Sequence, residues 1–360
     1  MTALPRVSIC LPVRQGAHLV RTAIEGALSQ EEQDWELIIG DNASTDGLRE
    51  VVEQFDDPRI MFRRWDAVVD VHANFNRTME LARSDWVLPL GADDRLRPHA
   101  LRTMVEAATA VGTPPCVMVV GRCHRVLRDG SSAEMQYYGS QRPVVPQAGS
   151  YAASAWLQLA STGGPFVWNI GSVLFSRAAL AESGPFRPEV GIAADMELIF
   201  RAAALGTVAV VDATLVDVMV RDESEGNQRW LADRRDGDPQ TPLARATVAA
   251  LEAHAVVRSV SAAERQAVMN GAARTQLVRA AQHRVLPGGR GRIGSLADIR
   301  EALRLSPRTV LRLSSWTLIV GALLAPRWLI RFASKMMQRR RHRASTRGLH
   351  GDRPGSDRTA

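Results

Sequence analysis

The stretch Asp85-Trp86-Val87-Leu88-Pro89-Leu90-Gly91-Ala92-Asp93-Asp94 decides how this chain is read. Its apolar run, Trp86 to Leu90, is short and flanked by turn residues, which suits a buried parallel strand better than a helix. The run breaks at Gly91 and delivers two adjacent carboxylates, Asp93 and Asp94. In open α/β sheets the ligand crevice lies beyond the carboxyl ends of the strands. Two unpaired acids there repel each other, whereas a divalent cation lets them hold a diphosphate. Taken alone, the pair reads equally well as a solvated turn leading into a helix N-cap, because Asp is common at both. The rest of the chain separates the two readings.

Working outward, strand and helix patterns alternate. Val7 to Val13 and Trp35 to Ile39 read as strands, with Ile60 to Phe62 as a short third. His18 to Ser29 reads as a helix, since Leu19, Ala23, Ile24, Ala27 and Leu28 share one face. Leu48 to Phe55, His72 to Arg83 and Arg97 to Val111 are further helices, and Cys116 to Val120 a further strand. This βαβα rhythm predicts an α/β fold with a mostly parallel central sheet covered by helices on both faces. Arg125 to Gln147 is polar and suits a hairpin or a mobile loop, and Tyr151 to Ala160 reads as a helix. Val173 to Phe175, Val208 to Val211 and Leu215 to Val220 are strand candidates; Asp195 to Leu205 is a helix closed by Gly206 as its C′ residue.

Beyond about residue 240 the pattern is all-helical. Thr241-Pro242 is an N-cap with Pro at N1, and Ser261 with Glu264 forms a capping box. The expected organisation is therefore a catalytic α/β domain over 1–240 and a helical C-terminal region over 241–335. A basic, disordered tail over 336–360 completes it.

The net charge of +7 on 360 residues invites a nucleic-acid reading. Between Arg327 and Arg347, however, lie eight Lys or Arg and no acid, so taking these from +7 leaves about −1 for the remainder. The basic residues form one tail without interleaved aromatic platforms, which argues against nucleic acid. Cys10, Cys116 and Cys123 supply neither a disulfide framework nor a four-ligand zinc set. A reducing cytoplasm suits such a chain, and Met1 to Arg6 carries no signal-peptide core.

Acids recur where strands end. The first strand ends at Leu11-Pro12-Val13-Arg14, the second at Gly40-Asp41-Asn42, and the fourth at Asp93-Asp94; Asp195 opens a later helix. Acids at the ends of separate parallel strands converge on one crevice, which suits a nucleotide with a metal-bound diphosphate. At these strand ends there is neither G-x-G-x-x-G nor G-x-x-x-x-G-K-[ST]; the glycines Gly289, Gly291 and Gly294 have the first spacing but lie in the all-helical part, after no strand pattern.

These segments together resemble the family 2 glycosyltransferases of the GT-A fold. The resemblance rests on Val7-Ser8-Ile9-Cys10-Leu11-Pro12-Val13, Trp35 to Asp46, Asn74 to Ala82, Leu90 to Asp94, Gly184-Pro185-Phe186 and Ala194 to Arg201. It covers roughly residues 5 to 225 and implies an inverting, metal-assisted transferase acting on a nucleotide-diphospho-sugar. The backbone around Pro12 and the side chain of Asp41 would recognise the nucleobase, since a carboxylate accepts from the imide N–H of uracil or thymine. Asp93 would approach the ribose, and Val13, Arg14 and Asn76 complete the implied donor-binding set. Asp94 would bind Mg²⁺ or Mn²⁺, and Asp195 would be the general base. Trp168 and Asn169 fall where the family lines its acceptor side.

The chain departs from the family pattern at Gly40 and Ala194, where acids are usual. An Arg often found near Phe75 is missing, although Arg77 is close, and Arg221-Asp222-Glu223-Ser224 lacks a His that the family often shows. The rival readings fit less well. A sugar nucleotidyltransferase wants a Gly-rich basic loop that Val13 to His18 does not supply, and a catalytically silent binding module would not need all four acids.

Trp316 to Ala325 is apolar all round but too short to span a bilayer, and Pro326-Arg327 interrupts it. With the following Arg cluster, the segment 314–332 suits a membrane interface, and 314–343 an anionic lipid surface. The expectation is a cytoplasmic protein, peripheral on the inner face of the cell membrane, acting on a glycan or lipid-linked acceptor.

Overall fold

The computed structural model describes residues 4–126, 132–134, 147–156, 169–188, 190 and 194–219, with scattered positions between 263 and 319. Backbone proximity divides the chain into a unit over 1–271 and a second over 272–360. The boundary expected near 240 and the caps at Thr241 and Ser261 lie outside the described residues, as does 314–343 apart from Ser315 and Ile319. In the second unit, Ser306 caps a short helix, Pro307–Val310.

The first unit is built on one ten-stranded sheet. In chain order the strands are β1 (Val7–Val13), β2 (Trp35–Asn42), β3 (Ile60–Trp65), β4 (Trp86–Pro89), β5 (Asp94–Leu96), β6 (Cys116–Val126), β7 (Ser132–Glu134), β8 (Gly149–Tyr151), β9 (Val173–Ser176) and β10 (Thr207–Met219). The spatial order is β3-β2-β1-β4-β9-β6-β10-β5, with β7 on β6 and β8 on β10. β3, β2, β1 and β4 are mutually parallel, and the long β6–β10 ladder is parallel too. β9 runs antiparallel between β4 and β6, and β5 runs antiparallel on β10. The long ladders are thus parallel and the short ones antiparallel.

β1 and β2 are buried along their whole lengths, as strands covered on both faces must be. Side chains alternate between the faces. Ile9 and Leu11 pack with Ala23 and Ile24 of α1 (Val20–Leu28) and Leu101 and Met104 of α4 (Ala100–Ala110). Cys10, Ile38 and Val87 point the other way, against Met79 at the end of α3 (Val71–Met79). A separate apolar cluster joins Val173 and Phe175 to α6 (Ala194–Ala203). Between these elements lie α2 (Leu48–Val52) and α5 (Arg177–Ser183).

Four local expectations are corrected. The helix expected from Arg97 starts only at Ala100, and Asp94–Leu96 before it is a strand. Tyr151 ends a strand that pairs with Val208, so helical residues start at Ala153. The candidates around 208–211 and 215–220 are one strand, and its register shifts near Val210 and Thr214 let it carry a polar kink. Gly206 is not a left-handed cap; a Cβ there would lie 2.8 Å from the Pro115 carbonyl, so close packing requires glycine.

Candidate active site

The parallel register sets Val13 directly beside Asp41, bringing the ends of β1 and β2 together. Asp41 is wholly buried, and both of its oxygens are engaged. Ser44 N–H donates to Oδ1 at 2.9 Å. Arg64 Nη1 donates to Oδ2 at 2.9 Å from the register-paired position on β3. The loops beyond the two strands are stapled to each other. Gln15 N–H donates to Ser44 Oγ at 2.9 Å, and its side-chain oxygen accepts from Thr45 N–H at 2.6 Å. Ala17 N–H donates to Asp46 Oδ2 at 2.9 Å. Gln15 and Ala43 both hold left-handed backbones, with φ of 53° and 55°. Such conformations persist where surrounding contacts over-determine them, and they cluster at functional sites.

Pro12 and Val13 are buried at this corner and Arg14 is exposed beside it. Asn76 is engaged elsewhere. Its amide donates to the Phe186 carbonyl at 2.9 Å and accepts from Phe186 N–H at 2.8 Å. Both ends of that side chain thus tie α3 to the segment after α5. Arg77 stacks over Trp65 at 4.1 Å and donates to Asn42 Oδ1 at 2.7 Å. The missing acid at position 40 also has a cause: a Cβ on Gly40 would lie 2.0 Å from Thr78 Oγ1 and 3.0 Å from the Trp65 ring.

The acid pair leaves β4 through a tight turn in which Asp94 N–H donates to the Gly91 carbonyl at 3.1 Å. A Cβ on Gly91 would lie 2.7 Å from Asp94 Oδ2 and 3.2 Å from Asp93 Oδ1, so the turn closes on the pair only with glycine. Asp94 is 3% exposed. Burial, then the adjacent Asp93 charge, push its carboxyl up to about 8, against the pull of hydrogen bonds from the Asn169 side chain and Met219 backbone. A desolvated acid beside a second acid is the environment a divalent cation relieves. Among the described residues no group of three or more His, Cys, Asp or Glu could hold a metal. The chemistry of the pair suits Mg²⁺ or Mn²⁺, which take one or two carboxylates and fill the remaining positions from substrate phosphate and water.

Asp195 stands on a different element, in the first turn of α6, where Met196 N–H donates to its Oδ1 at 2.7 Å. Burial raises its carboxyl to about 6. Two residues on, Glu197 is wholly buried and takes Arg201 Nε and Nη2, both at 2.7 Å, and Arg187 Nη1 at 3.1 Å. Arg201 also donates to the carbonyls of Ser183, Gly184 and Pro185, the latter two at 3.1 and 2.8 Å. The start of α6 is thereby locked to residues 183–187, which Asn76 grips from the other side.

The structure thus gathers Pro12, Val13, Arg14 and Asp41 at one corner and pairs Asp93 with Asp94. It puts Asn169 against Asp94, and Trp168 lies outside the described residues. Arg64, Glu197 and Arg201 were not singled out by sequence reasoning. The i,i+4 spacing of Glu197 and Arg201 was a visible signal; Arg64 lies beyond the Phe62 end expected for its strand.

Comparison with known proteins follows the same lines. Residues 8–140 match the sequence profile of glycosyl transferase family 2. The succinoglycan biosynthesis protein ExoO of Rhizobium meliloti (strain 1021) is 33% identical over 135 residues, 37% of this chain and 39% of that protein. The GalNAc(5)-diNAcBac-PP-undecaprenol beta-1,3-glucosyltransferase of Campylobacter jejuni subsp. jejuni serotype O:2 is 31% identical over 108 residues, 29% of this chain and 35% of that protein. The matches thus span between a third and two fifths of these relatives' lengths. The crystal structure of S. aureus TarS 1-349 in complex with UDP-GlcNAc aligns with a TM-score of 0.52 at 11% identity, covering 84% of this chain and 92% of that one. That likeness is one of fold, and the fold is GT-A.

Proposed function

We propose that this chain, which belongs to glycosyl transferase family 2 through residues 8–140, is an inverting glycosyltransferase. It moves a sugar from a nucleotide-diphospho-sugar to a hydroxyl of a glycan or lipid-linked acceptor. The observation that carries the reading is the acid pair at the exit of β4, whose Asp94 is buried with its carboxyl pushed up, together with the buried, Arg64-bound Asp41 at the exit of β2.

In this reading Asp41 and the backbone at Pro12 recognise an imide-bearing base, with Val13 and Arg14 at the same corner, and Asp93 approaches the ribose. Asp94 holds Mg²⁺ or Mn²⁺, which when bound neutralises charge on the nucleoside-diphosphate leaving group. Asp195 takes the proton of the acceptor hydroxyl while that oxygen attacks the anomeric carbon from the face opposite the diphosphate. One displacement inverts the centre. A carboxyl raised to about 6 is ionised at neutral pH yet holds a proton better than an ordinary Asp, as a general base should. Trp168 is assigned to the acceptor side, where its ring would stack on a sugar.

The segment 314–343 is proposed to hold the protein peripherally on the inner, anionic face of the cell membrane. Its Trp316 and Trp328 and its run of cations support this. Among the described residues no helix is long and apolar enough to cross a membrane.

A nucleotide-sugar panel scored by thermal shift with and without Mn²⁺ tests the donor reading, because ligand binding to the native state raises the melting temperature. Stabilisation by one class of nucleotide-sugar, larger with Mn²⁺, is expected; no response across the panel overturns it. Deletion after Leu313 should release the chain from sedimenting anionic vesicles. If the full chain never sediments with them, the membrane assignment is wrong.

A further inference from the structure

Asn76 holds one residue of a distant segment from both directions. Its Nδ2 donates to the Phe186 carbonyl at 2.9 Å, and its Oδ1 accepts from Phe186 N–H at 2.8 Å. A side-chain amide offers a donor and an acceptor side by side, so it can match a peptide group and fix its place and orientation together. The Phe186 ring is 3% exposed and lies 5.4 Å, centroid to centroid, from the ring of Phe75, the neighbour of Asn76 on α3. It belongs to the apolar cluster that also holds Ala194 and Met196, the two residues flanking Asp195. The same segment is held from α6. Arg201 donates to the Gly184 and Pro185 carbonyls at 3.1 and 2.8 Å, and Arg187 Nη1 donates to Glu197 Oε1 at 3.1 Å. Residues 184–187 therefore form a bridge, with Asn76 at one end and the helix that carries Asp195 at the other.

We propose that Asn76 is a positioning residue for Asp195 and not a member of the donor-binding set: acting through the 184–187 bridge, it fixes the first turn of α6 and so the place of the Asp195 carboxylate. This rests on the reading of Asp195 as the general base. A base must lie within hydrogen-bond reach of the proton it takes. A misplacement of about 1 Å, caused by a change far from the chemistry, can cost on the order of 10²-fold. Asn76 touches no substrate in this role. Both polar ends of its side chain are committed to backbone, and what they hold leads to the base rather than to the nucleotide.

The two roles predict opposite splits between affinity and turnover. The full chain is compared with Asn76→Ala, Asn76→Asp, Asp195→Asn and the Asn76→Ala/Asp195→Asn double variant. Calorimetry with UDP, dTDP and GDP in Mn²⁺ reads affinity. Nucleoside diphosphate release from saturating UDP-glucose, UDP-GlcNAc and GDP-mannose reads turnover, with water in place of the acceptor hydroxyl. There the water oxygen bonds to the anomeric carbon, the bond to the diphosphate breaks, and the water proton passes to Asp195. Asn76→Ala should bind nucleotide as the parent does and release it about 10–100-fold more slowly. Asn76→Asp, equal in shape but without the NH₂ that reaches the Phe186 carbonyl, should show the same split, so the test does not depend on the Ala variant folding. In the Asp195→Asn background, Asn76→Ala should cost no more than about twofold, because residues that act as a unit are not additive. Weakened affinity with turnover retained would make Asn76 a donor-binding residue. A full second loss on top of Asp195→Asn would mean that it supports the fold at large; either result overturns the proposal alone. If the parent releases nothing from any of the three, or Asp195→Asn keeps the parent's rate, the base reading fails and takes this proposal with it.

Discussion

Arg64 and Asp41 face each other from register-paired positions on adjacent parallel strands, 2.9 Å between Nη1 and Oδ2, with Asp41 wholly buried. The same guanidinium reaches the Ser44 carbonyl at 2.5 Å, so it orients the acid and closes the loop around it. A hydrogen bond to a charged group contributes about 1.5–3 kcal/mol, roughly tenfold to a hundredfold in affinity. Arg64→Met should therefore weaken nucleotide binding by that range in titration calorimetry. Unchanged affinity would detach Asp41 from the nucleotide site.

Asp94 ties stability to pH. In the folded, metal-free chain its carboxyl is raised from 3.8 to about 8, so unfolding releases a proton throughout that window. Raising the pH from 4 to 8 thus removes stability from the folded state. Asp94→Asn should melt at the parent's temperature near pH 4. At pH 8 without metal it should melt higher by roughly 2–4 °C, the worth of about 1 kcal/mol in a unit of this size. An equal melting temperature at both pH values would contradict the raised carboxyl.

Asp195 gives a kinetic counterpart. Transfer should rise with pH through about 6 and level above it, because the protonated acid cannot accept the acceptor's proton. Asp195→Asn should retain donor binding and lose about 10²–10⁴-fold in turnover. Turnover retained in that variant assigns the base elsewhere.

Gly91→Ala places a methyl group 2.7 Å from Asp94 Oδ2. The variant should fold, with a circular dichroism spectrum like the parent's. It should lose about tenfold or more of Mn²⁺-dependent nucleotide affinity, because a displaced ligand carboxylate binds metal poorly.

Glu197 is wholly buried and Arg201 is 1% exposed, so each neutralises the other. Removing one partner of a buried ion pair typically costs about 3–5 kcal/mol. Glu197→Gln should shift the urea midpoint accordingly. A loss under about 1 kcal/mol would mean that the Arg201 contacts to residues 183–185 hold without it.

The parallel half of the sheet was legible because burial on both faces forces long apolar runs: Val7 to Val13 is a strand with the expected bounds. Asp94–Leu96 was not, because three residues cannot show an alternation and an Asp after a turn looks like a cap. Nor could Val173 to Phe175 reveal that it inserts antiparallel between β4 and β6; direction in a sheet is set by distant partners, not by the run itself. At the candidate site, charged residue types in motif order singled out Asp41, Asp93, Asp94 and Asp195 for attention. Their supports stayed hidden. Arg64 meets Asp41 through strand register, and Glu197 meets Arg187 through the fold of residues 183–197.

The staple between residues 14–17 and 43–46 has a consequence for evolution and engineering. Gln15 grips its neighbour with both backbone and side chain, and its own left-handed twist is tolerable only while that grip lasts. The two loops are therefore one inheritable cassette. Transplanting either loop alone from a relative would leave a mismatched seam, whereas moving both together carries the staple across intact.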